Sequence, residues 1–319
     1  MMKKAFALLL ALIIILSLTA CGSKPKESGH LTFTTGSGSG TYFSFGGVIG
    51  EKVNNSTDTQ VTIVSSKGSQ ANIEALQAGN ADIAFVQSDV MAYGYNGTRL
   101  FAETGAVTSF STVAAMYMEQ VQIVTLDPAI TSVADLAGKR VSIGAVGSGV
   151  YYNAMDILGV YGLTEEDITP AFYDFSETIE ALRSGQIDVG FVVAGAPTNA
   201  VTSLVSTNDA YFVSLDDEHI SALIAASPYY AKNTIGSEVY GTAEDVTTVG
   251  ISAVLIASNN ASDDDVYNFI SAVFNNLDSF THDKAKEVSL DFAATVTDVP
   301  YHPGAARYFT ERGLTVPTK

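Results

Sequence analysis

Hydrophobic and polar positions along the chain follow two alternating periods, one typical of buried strands and one typical of amphipathic helices. Strand-like and helix-like stretches take turns in the order 31–35, 42–54, 60–65, 69–78 and 81–87. In the second of these predicted helices, Ser69 is suited to cap the start and Gly79 to close the end. Strands that alternate with helices in this way are typical of an α/β fold with parallel strands.

The chain carries a weak internal repeat. Residues 73–79 read IEALQAG and residues 179–185 read IEALRSG, while residues 82–86 read DIAFV and residues 188–192 read DVGFV. Both matches have the same offset of about 106 residues. Chance could produce one such match easily, but two matches in register predict two similar α/β lobes in one chain.

Two β-branched stretches, at 121–126 and 247–257, enclose a block of about the size of one lobe. We interpret these two stretches as the crossing strands of a hinge. The predicted first lobe is therefore formed by 31–122 and 253–319, and the predicted second lobe, which includes the hinge strands, by 123–252.

Two glycine-rich loops follow strand-like stretches in the two predicted lobes. Residues 33–42 read FTTGSGSGTY and residues 141–152 read VSIGAVGSGVYY. Where a helix begins, the backbone N–H groups of its first turn lack partners and carry a partial positive charge. Glycines let a ligand approach that backbone, and Ser39, Thr41 and Ser148 add hydroxyl groups, so a carboxylate or phosphate can bind there. Either loop alone could be an ordinary turn, but the repetition favours two sides of one binding site.

The charge of the chain narrows the choice of partners. The formal net charge is −18 over 319 residues, a field that repels nucleic acid and anionic lipid. A local site can still be positive inside a negative molecule, so the charge does not exclude an anionic ligand. We therefore predict that the protein binds a small molecule and does not bind nucleic acid.

The first thirty residues are typical of a secreted lipoprotein. Lys3 and Lys4 precede the apolar run 5–20, which is shorter than the roughly 20 residues of a membrane span and predicts a signal peptide at 1–20. Residues 18–21 read LTAC and resemble a bacterial lipobox, which predicts lipidation of Cys21 and a polar tether at 21–30. An ordinary signal peptide followed by a free thiol is the alternative. The lipobox predicts an extracytoplasmic protein anchored to the outer face of the cytoplasmic membrane.

The sequence does not match the motifs of common enzyme classes. Residues 36–40 do not place serine third, as a hydrolase G-x-S-x-G turn requires, and neither glycine loop completes a nucleotide-binding motif. Of the few histidines, His30 falls in the predicted tether and His219 in an acidic helix start. The acidic run 263–265 lacks the spacing of a calcium loop, and we interpret it as a solvated helix start. The sequence predicts no enzyme, no cofactor and no metal site.

Several motifs together resemble a known family, the TAXI solute receptors. They are GSGTY at 38–42, GS at 68–69, VQSD at 86–89, GSG at 147–149 and HPGA at 302–305 with the nearby Tyr308. TAXI proteins are the substrate-binding proteins of tripartite ATP-independent (TRAP) transporters, and the resemblance covers residues 31–313. It implies a two-lobed, periplasmic-binding-protein-like clamshell of type II that delivers a small solute to membrane permease subunits.

The resemblance also implies a set of ligand-binding residues. Carried over by position, the first lobe contributes Ser39, Gly40, Thr41, Tyr42, Ser69, Gln87 and Ser88. The second lobe contributes Ser148, Gly149, Val150, Gly195 and Pro197.

The ligand implied by the resemblance is a small carboxylate, either a glutamate-like amino acid or a dicarboxylate. None of the arginines, Arg99, Arg140, Arg183, Arg307 and Arg312, lies in the loops of the predicted site, and Arg183 is expected to face solvent. Capture of the carboxylate by backbone N–H groups and hydroxyls is therefore our hypothesis. A binding protein of an ATP-driven importer and a sensory receptor that presents a ligand are the alternatives.

Overall fold

The structure is a computed structural model that describes residues 29–319. The predicted signal peptide, the lipidation site Cys21 and most of the predicted tether lie outside these residues. The strands are β1 (His30–Thr34), β2 (Gln60–Val64), β3 (Ile83–Gln87), β4 (Phe110–Thr125), β5 (Arg140–Ser142), β6 (Thr169–Ala171), β7 (Val189–Ala194), β8 (Tyr211–Phe212), β9 (Ala231–Ile235) and β10 (Val246–Ser258). His30 was expected in the tether, but it begins β1 and pairs with Gln60 of β2.

The α-helices lie between and after these strands. They are α1 (Thr41–Ser56), α2 (Ser69–Gln77), α3 (Ser88–Asn96), α4 (Val150–Val160), α5 (Phe175–Arg183), α6 (Asn199–Thr207), α7 (Asp217–Ala226), α8 (Ser237–Tyr240), α9 (Asp263–Phe274), α10 (Leu290–Ala293) and α11 (Pro303–Thr310). Short 3-10 helices occupy Arg99–Ala102, Val133–Leu136, Glu165–Asp167, Leu277–Ser279 and Asp283–Glu287. Within the described range, every helix falls short of the length and apolar character that a membrane span requires.

The helix pattern of the sequence is confirmed in the first lobe, with one correction at the start of α2. Phe45, Ile49 and Val53 recur every four residues in α1 and are fully buried, as an amphipathic helix on a sheet requires. Ser69 does not cap α2, because Gly68 occupies the cap position at φ +112° and the Ser69 hydroxyl accepts the Gln87 N–H at 3.0 Å. Gly79 closes this helix as expected, at φ +73°.

All ten strands belong to one mixed sheet, with the order β2-β1-β3-β10-β4-β7-β5-β6 and with β8 and β9 paired to β4 and β10. The parallel strands β1, β2 and β3 lie at one end and the parallel strands β5, β6 and β7 at the other. We call the parts built on these two groups the first lobe and the second lobe. This arrangement is the α/β architecture expected from the alternating pattern.

The long antiparallel strands β4 and β10 connect the two lobes. β4 pairs with β10 as far as Gln120 and with β7 from Gln120 onward. β10 pairs with β9 up to Gly250 and with β3 from Ala253. The two predicted hinge strands are therefore the crossing strands, although β4 begins at Phe110, well before the expected 121, because its first half is a continuous buried strand. The domain boundaries given above stay a prediction.

Each lobe has its own hydrophobic core. In the first lobe Phe33, Phe45 and Phe85 pack with Phe269 of α9 and Tyr308 of α11, so the C-terminal helices return to the lobe in which the chain begins. In the second lobe the core lies between the sheet and α4, and it includes Val141, Ile157 and Phe191.

The C-terminal motif at 302–305 lies in the first lobe, where its contacts hold helices together. His302 is buried and caps α11, because its Nδ1 accepts the Gly304 N–H at 3.3 Å. Gly304 packs against α9 so closely that a Cβ there would lie 2.2 Å from the carbonyl oxygen of Asp263.

The acidic start of α9 is only partly solvated. Asp263 and Asp264 are exposed, but Asp265 is 6% exposed and accepts hydrogen bonds from Thr59 at 2.7 Å and from the Gly29 N–H at 3.0 Å. The prediction of a solvated helix start was therefore wrong for Asp265, whose carboxylate fixes the entry to β1.

Candidate functional site

A cleft with a volume of about 50 Å³ lies between the two lobes, where parallel strands of both end. Segments that follow β1, β2, β5 and β6 reach it, as do the last residues of β3 and β7. Ligands of open α/β sheets bind in this place, outside the carboxyl ends of the strands. The position of the cleft makes it the candidate binding site.

Four helices begin at this cleft, namely α1, α2, α4 and α5. In the described structure no side chain caps α1, α2 or α4, whose cap positions are Gly40, Gly68 and Gly149. The fourth helix at the cleft, α5, is capped by the Asp174 side chain. Elsewhere, side chains cap α7, α9 and α11 but not α6 or α8. Uncapped first turns leave N–H donors and a partial positive charge at the cleft, an arrangement that suits an anionic ligand.

The two lobes are in contact around the cleft. The Ala71 N–H donates to the Gly147 carbonyl at 3.0 Å, and the Thr41 hydroxyl donates to the Gly195 carbonyl at 2.7 Å. Across the same gap, the Ala200 N–H donates to the Ser39 carbonyl at 3.1 Å. Both glycine-rich loops of the sequence take part, so the structure brings the two loops together as the repeat predicts.

Two buried polar atoms at the cleft lack partners within residues 29–319. They are the Ser148 hydroxyl, on a side chain that is 5% exposed, and Oε1 of Gln87, on a side chain that is 2% exposed. Buried polar groups are normally hydrogen-bonded, and leaving one unsatisfied costs about 1–3 kcal/mol. A ligand that bonds to these two atoms would remove that cost.

Glu119 of β4 lies at the base of the cleft, and sequence reasoning missed it. Its side chain is 2% exposed, and one carboxyl oxygen accepts the Tyr42 hydroxyl at 3.1 Å. Burial raises the pKa of Glu119 from its ordinary value of 4.5 to about 8. A carboxyl group in the middle of the apolar stretch 113–125 was the signal that could have identified it.

The structure places most, but not all, of the predicted site residues at the cleft. Those that line it are Gly40, Thr41, Tyr42, Ser69, Gln87, Ser148, Gly149 and Val150. Those that do not are Ser39, Ser88, Gly195 and Pro197. The lining residues that were not predicted are Gly36, Ser37, Ser66, Lys67, Gly68, Glu119, Ala145, Tyr173, Asp174, Phe175, Val193 and Ala194.

The four residues away from the cleft have other contacts. The Ser39 hydroxyl accepts a hydrogen bond from the Ser176 hydroxyl at 2.9 Å. Gly195 lies behind Thr41, and its carbonyl oxygen accepts a hydrogen bond from the Thr41 hydroxyl. Ser88 lines a separate groove beside Tyr229, and Pro197 belongs to the turn after β7.

Among the described residues no arginine lines the cleft. Arg99 pairs with Asp156 across the lobes at 2.8 Å. Arg183 was expected to face solvent, but it donates to Ser203 and Thr207 of α6, so its guanidinium joins two helices of the second lobe. Likewise, the described residues hold no group of three or more His, Cys, Asp or Glu side chains arranged to bind a metal ion.

The raised pKa of Glu119 predicts a pH-dependent stability. Because the folded protein binds this proton more tightly than the unfolded chain does, the stabilisation is complete below about pH 4.5 and is lost as the pH rises to about 8. In Glu119→Gln we expect the free energy of unfolding to fall less between pH 5 and pH 8.5 than in the unchanged protein, by on the order of a few kcal/mol. Urea unfolding at both pH values measures the difference.

Asp89, whose pKa burial raises to about 7, contributes in the same direction and is retained in both proteins. Because the charge of Asp89 also raises the pKa of Glu119, the difference between the two proteins includes this interaction. Equal pH dependence in the two proteins would show that Glu119 is ionised in the fold.

Comparison with known proteins gives one family and many similar structures. A model of the NMT1-like family matches residues 33–313. A protein of Bordetella bronchiseptica RB50 is 18% identical with a TM-score of 0.52, over 82% of this chain and 76% of that chain. Another similar structure is the ligand-binding component of an ABC-type import system from Staphylococcus aureus, solved with zinc bound. It is 11% identical with a TM-score of 0.52, over 91% of this chain and 94% of that chain.

A third structure is the alkanesulfonate-binding protein SsuA from Xanthomonas axonopodis pv. citri bound to MOPS. It is 16% identical with a TM-score of 0.48, over 89% of this chain and 84% of that chain. With the Staphylococcus aureus structure as the guide, the fold is the α/β fold of type II periplasmic binding proteins, as the resemblance to TAXI receptors implied.

Proposed function

The chain belongs to the NMT1-like family, and from this premise we propose that it is an extracytoplasmic solute-binding protein that captures a small carboxylate between its lobes. The main support is the cleft, at which three uncapped helix starts from both lobes meet. Each such helix end contributes about 0.3–1 kcal/mol to anion binding when exposed and up to about 2 when partly buried. Together with hydroxyl and backbone hydrogen bonds, they can supply the roughly 8 kcal/mol of a micromolar site.

We propose that the solute passes from this protein to the permease subunits of a TRAP-type secondary transporter. The support is the resemblance of the glycine loops, the segment at 86–89 and the C-terminal motif to TAXI receptors. An ATP-driven importer is the second candidate, because the similar Staphylococcus aureus structure belongs to an ABC-type import system. Uptake by membrane vesicles supplied with the protein separates the two. An ion gradient alone drives uptake in the first case, and uptake requires ATP in the second.

The proposed location follows from the same role. We propose that Cys21 is lipidated and holds the protein at the outer face of the cytoplasmic membrane, where a binding protein meets both solute and permease. Two or three acyl chains anchor a protein firmly, since each buried methylene contributes about 0.8 kcal/mol. The protein acts in this account as a binding protein and not as an enzyme.

Replacement of Ser148 tests whether the unpartnered hydroxyl binds the solute. We expect Ser148→Ala to lower affinity for the solute at least tenfold, because a hydrogen bond to a charged group contributes about 1.5–3 kcal/mol. The melting temperature of the unliganded protein should not fall and can rise, since this buried hydroxyl has no partner in the described structure. Calorimetric titration with L-glutamate and with glutarate measures the affinity.

The matched control is Ser206→Ala, which removes a hydroxyl of the second lobe that lies outside the cleft and bonds only within its own helix. Its affinity should stay within about twofold of the unchanged protein. Equal losses in the two variants would contradict a direct contact at Ser148.

A further inference from the structure

One side of α4 lies against the opposite lobe. The helix belongs to the second lobe, where Ile157 and Leu158 are buried in the core. We call Tyr152, Asn153 and Asp156 the latch face of this helix, because residues three and four positions apart share one side of a helix. The latch face contacts the first lobe, so α4 packs against both lobes and can hold them together.

The two ends of the latch face pack and pair with the first lobe. The Tyr152 side chain is buried, and its ring centroid lies 5.5 Å from that of Tyr93. One turn further on, Asp156 accepts a hydrogen bond from the Arg99 guanidinium at 2.8 Å. Arg99 has φ 55°, a conformation that costs energy in residues other than glycine. Its contacts with Asp156 and with the Tyr93 ring help to offset that cost while the lobes are together.

Asp89 of α3 lies at the centre of this contact and is fully buried. Its carboxyl group accepts hydrogen bonds from Asn153 of the latch face at 3.2 Å and from the Val90 N–H at 2.7 Å. Both donors are neutral, whereas a buried carboxylate is stable only when its charge is compensated. Burial raises the pKa of Asp89 to about 7, and the nearby Asp156 carboxylate acts in the same direction.

The titratable groups that face Asp89 come from several elements. They are Tyr93 of its own helix, Glu119 of the crossing strand β4, Asp156 of α4, and Tyr229 and Tyr230 of the turn before β9. Asp156 is paired with Arg99, so the charged groups around Asp89 do not supply a free cation among the described residues. Three of the five facing groups, together with Asn153, belong to the second lobe. Separation of the lobes therefore removes them and exposes the Asp89 carboxyl group to water.

We propose that the latch face holds the unliganded lobes together when Asp89 is protonated and releases them when Asp89 is ionised, so that the protein is closed at about pH 5.5 and open at about pH 8. The closed form binds this proton more tightly than the open form, in which the carboxyl group meets water. Its advantage is therefore complete below the ordinary pKa of 3.8 and is lost as the pH rises to about 7. This device goes beyond the proposed function and does not depend on which solute the cleft binds.

The size of the effect follows from the two acidities of Asp89. A carboxyl group with a pKa of about 7 in the closed form and 3.8 in the open form changes the ratio of closed to open protein by about thirtyfold between pH 5.5 and pH 8. The same shift acts on any solute that is held only by the closed lobes.

The test is amide hydrogen exchange of the purified full chain without solute, followed at single residues and corrected for the direct effect of pH on exchange. The N–H groups of Ala71 and Ala200 donate across the gap between the lobes, whereas the Asp82 N–H donates to Thr32 within the first lobe. We expect the protection of Ala71 and Ala200 to fall by about tenfold or more from pH 5.5 to pH 8. At pH 8 the Asp82 N–H should remain better protected than either by about tenfold or more, and X-ray scattering should show a larger radius of gyration than at pH 5.5.

Two variants identify the titrating group. Asp89→Asn keeps the size of the side chain and cannot ionise, so the fall in protection with pH should be about tenfold smaller than in the unchanged protein. Glu119→Gln is the matched control, because it removes the neighbouring buried carboxyl group and leaves Asp89 in place. Its fall should still be about tenfold. A fall that disappears in Glu119→Gln and persists in Asp89→Asn would assign the effect to Glu119 and overturn the inference.

Two results on the unchanged protein also overturn the inference, and neither depends on whether a variant folds. One is a protection of Ala71 and Ala200 that changes by less than about threefold between the two pH values. The other is equal protection of Ala71, Ala200 and Asp82, which would mean that the lobes separate only when the protein unfolds. Either result leaves the proposed solute-binding function intact, because the solute titrations test that function separately.

Discussion

Replacement of Gly149 by alanine is expected to lower the affinity for the solute at least tenfold and to leave the unliganded protein as stable as before. A Cβ at this position would lie 1.7 Å from Oε1 of Gln87 and 3.1 Å from the Ser69 hydroxyl, and both of these belong to the other lobe. The conflict therefore arises only when the lobes meet. Overpacking costs about 1–3 kcal/mol, and about 1.4 kcal/mol corresponds to a tenfold change in affinity.

The backbone of Gly149, with φ −73°, accepts alanine without strain, so the folding of the second lobe itself should not suffer. Gly159→Ala is the matched control, because it lies in the same helix and a Cβ there meets no atom within 4 Å. Calorimetric titration and thermal unfolding of the three proteins make the comparison. A Gly149→Ala protein that binds as tightly as the control would show that the lobes do not approach this closely around the solute.

The second large effect is expected at Gly304, which packs between two helices and takes no part in the cleft. Gly304→Ala should lower the free energy of unfolding by about 3 kcal/mol, at the upper end of overpacking costs, and lower the melting temperature by roughly 5–10 °C. A Cβ there would lie 2.2 Å from the Asp263 carbonyl oxygen and 3.0 Å from the Tyr267 nitrogen. Both are backbone atoms of α9, so neither can rotate away as a side chain could.

Gly47→Ala is the control for this change, because it lies within α1 and a Cβ there has nothing within 4 Å. Alanine in a helix interior is favoured over glycine by up to about 1 kcal/mol, so this control should be as stable as the unchanged protein or more so. Urea unfolding measures both variants. Lost solute affinity with unchanged stability in Gly304→Ala would contradict the structural role that we assign to the motif at 302–305.

Features encoded by local pattern could be predicted from the sequence. The spacing of Phe45, Ile49 and Val53 determines α1, and the glycine loops at 36–40 and 144–149 lead into helices because glycine permits the tight exit from a strand. The repeat correctly indicated two similar parallel units. The crossing strands were located because long β-branched runs differ from the short strands around them.

Features that depend on tertiary contacts could not be predicted in the same way. Ser69 has the residue type of a helix cap, but its hydroxyl bonds to Gln87 on a neighbouring strand. In sequence, Asp265 resembles its two exposed neighbours. It is buried because Thr59 and Gly29, which are distant in sequence, donate hydrogen bonds to its carboxylate. Glu119 is hidden in a strand pattern, and only the convergence of α1, β3 and β4 makes it part of the cleft.

A thermal-shift screen of the purified protein shows whether the cleft binds a small anion between the uncapped helix starts of its two lobes. Amino acids, dicarboxylates, sugars, nucleotides and cationic amines are each compared in the unchanged protein and in Gly149→Ala. A solute at a hundredfold excess over its Kd stabilises the fold by about 2.7 kcal/mol, which is several degrees for a chain of this size. We expect such a shift with one or more small carboxylates and a shift of at most about half that size in Gly149→Ala, because a tenfold loss of affinity leaves about 1.4 kcal/mol of stabilisation. Shifts with neutral or cationic solutes alone would contradict this expectation.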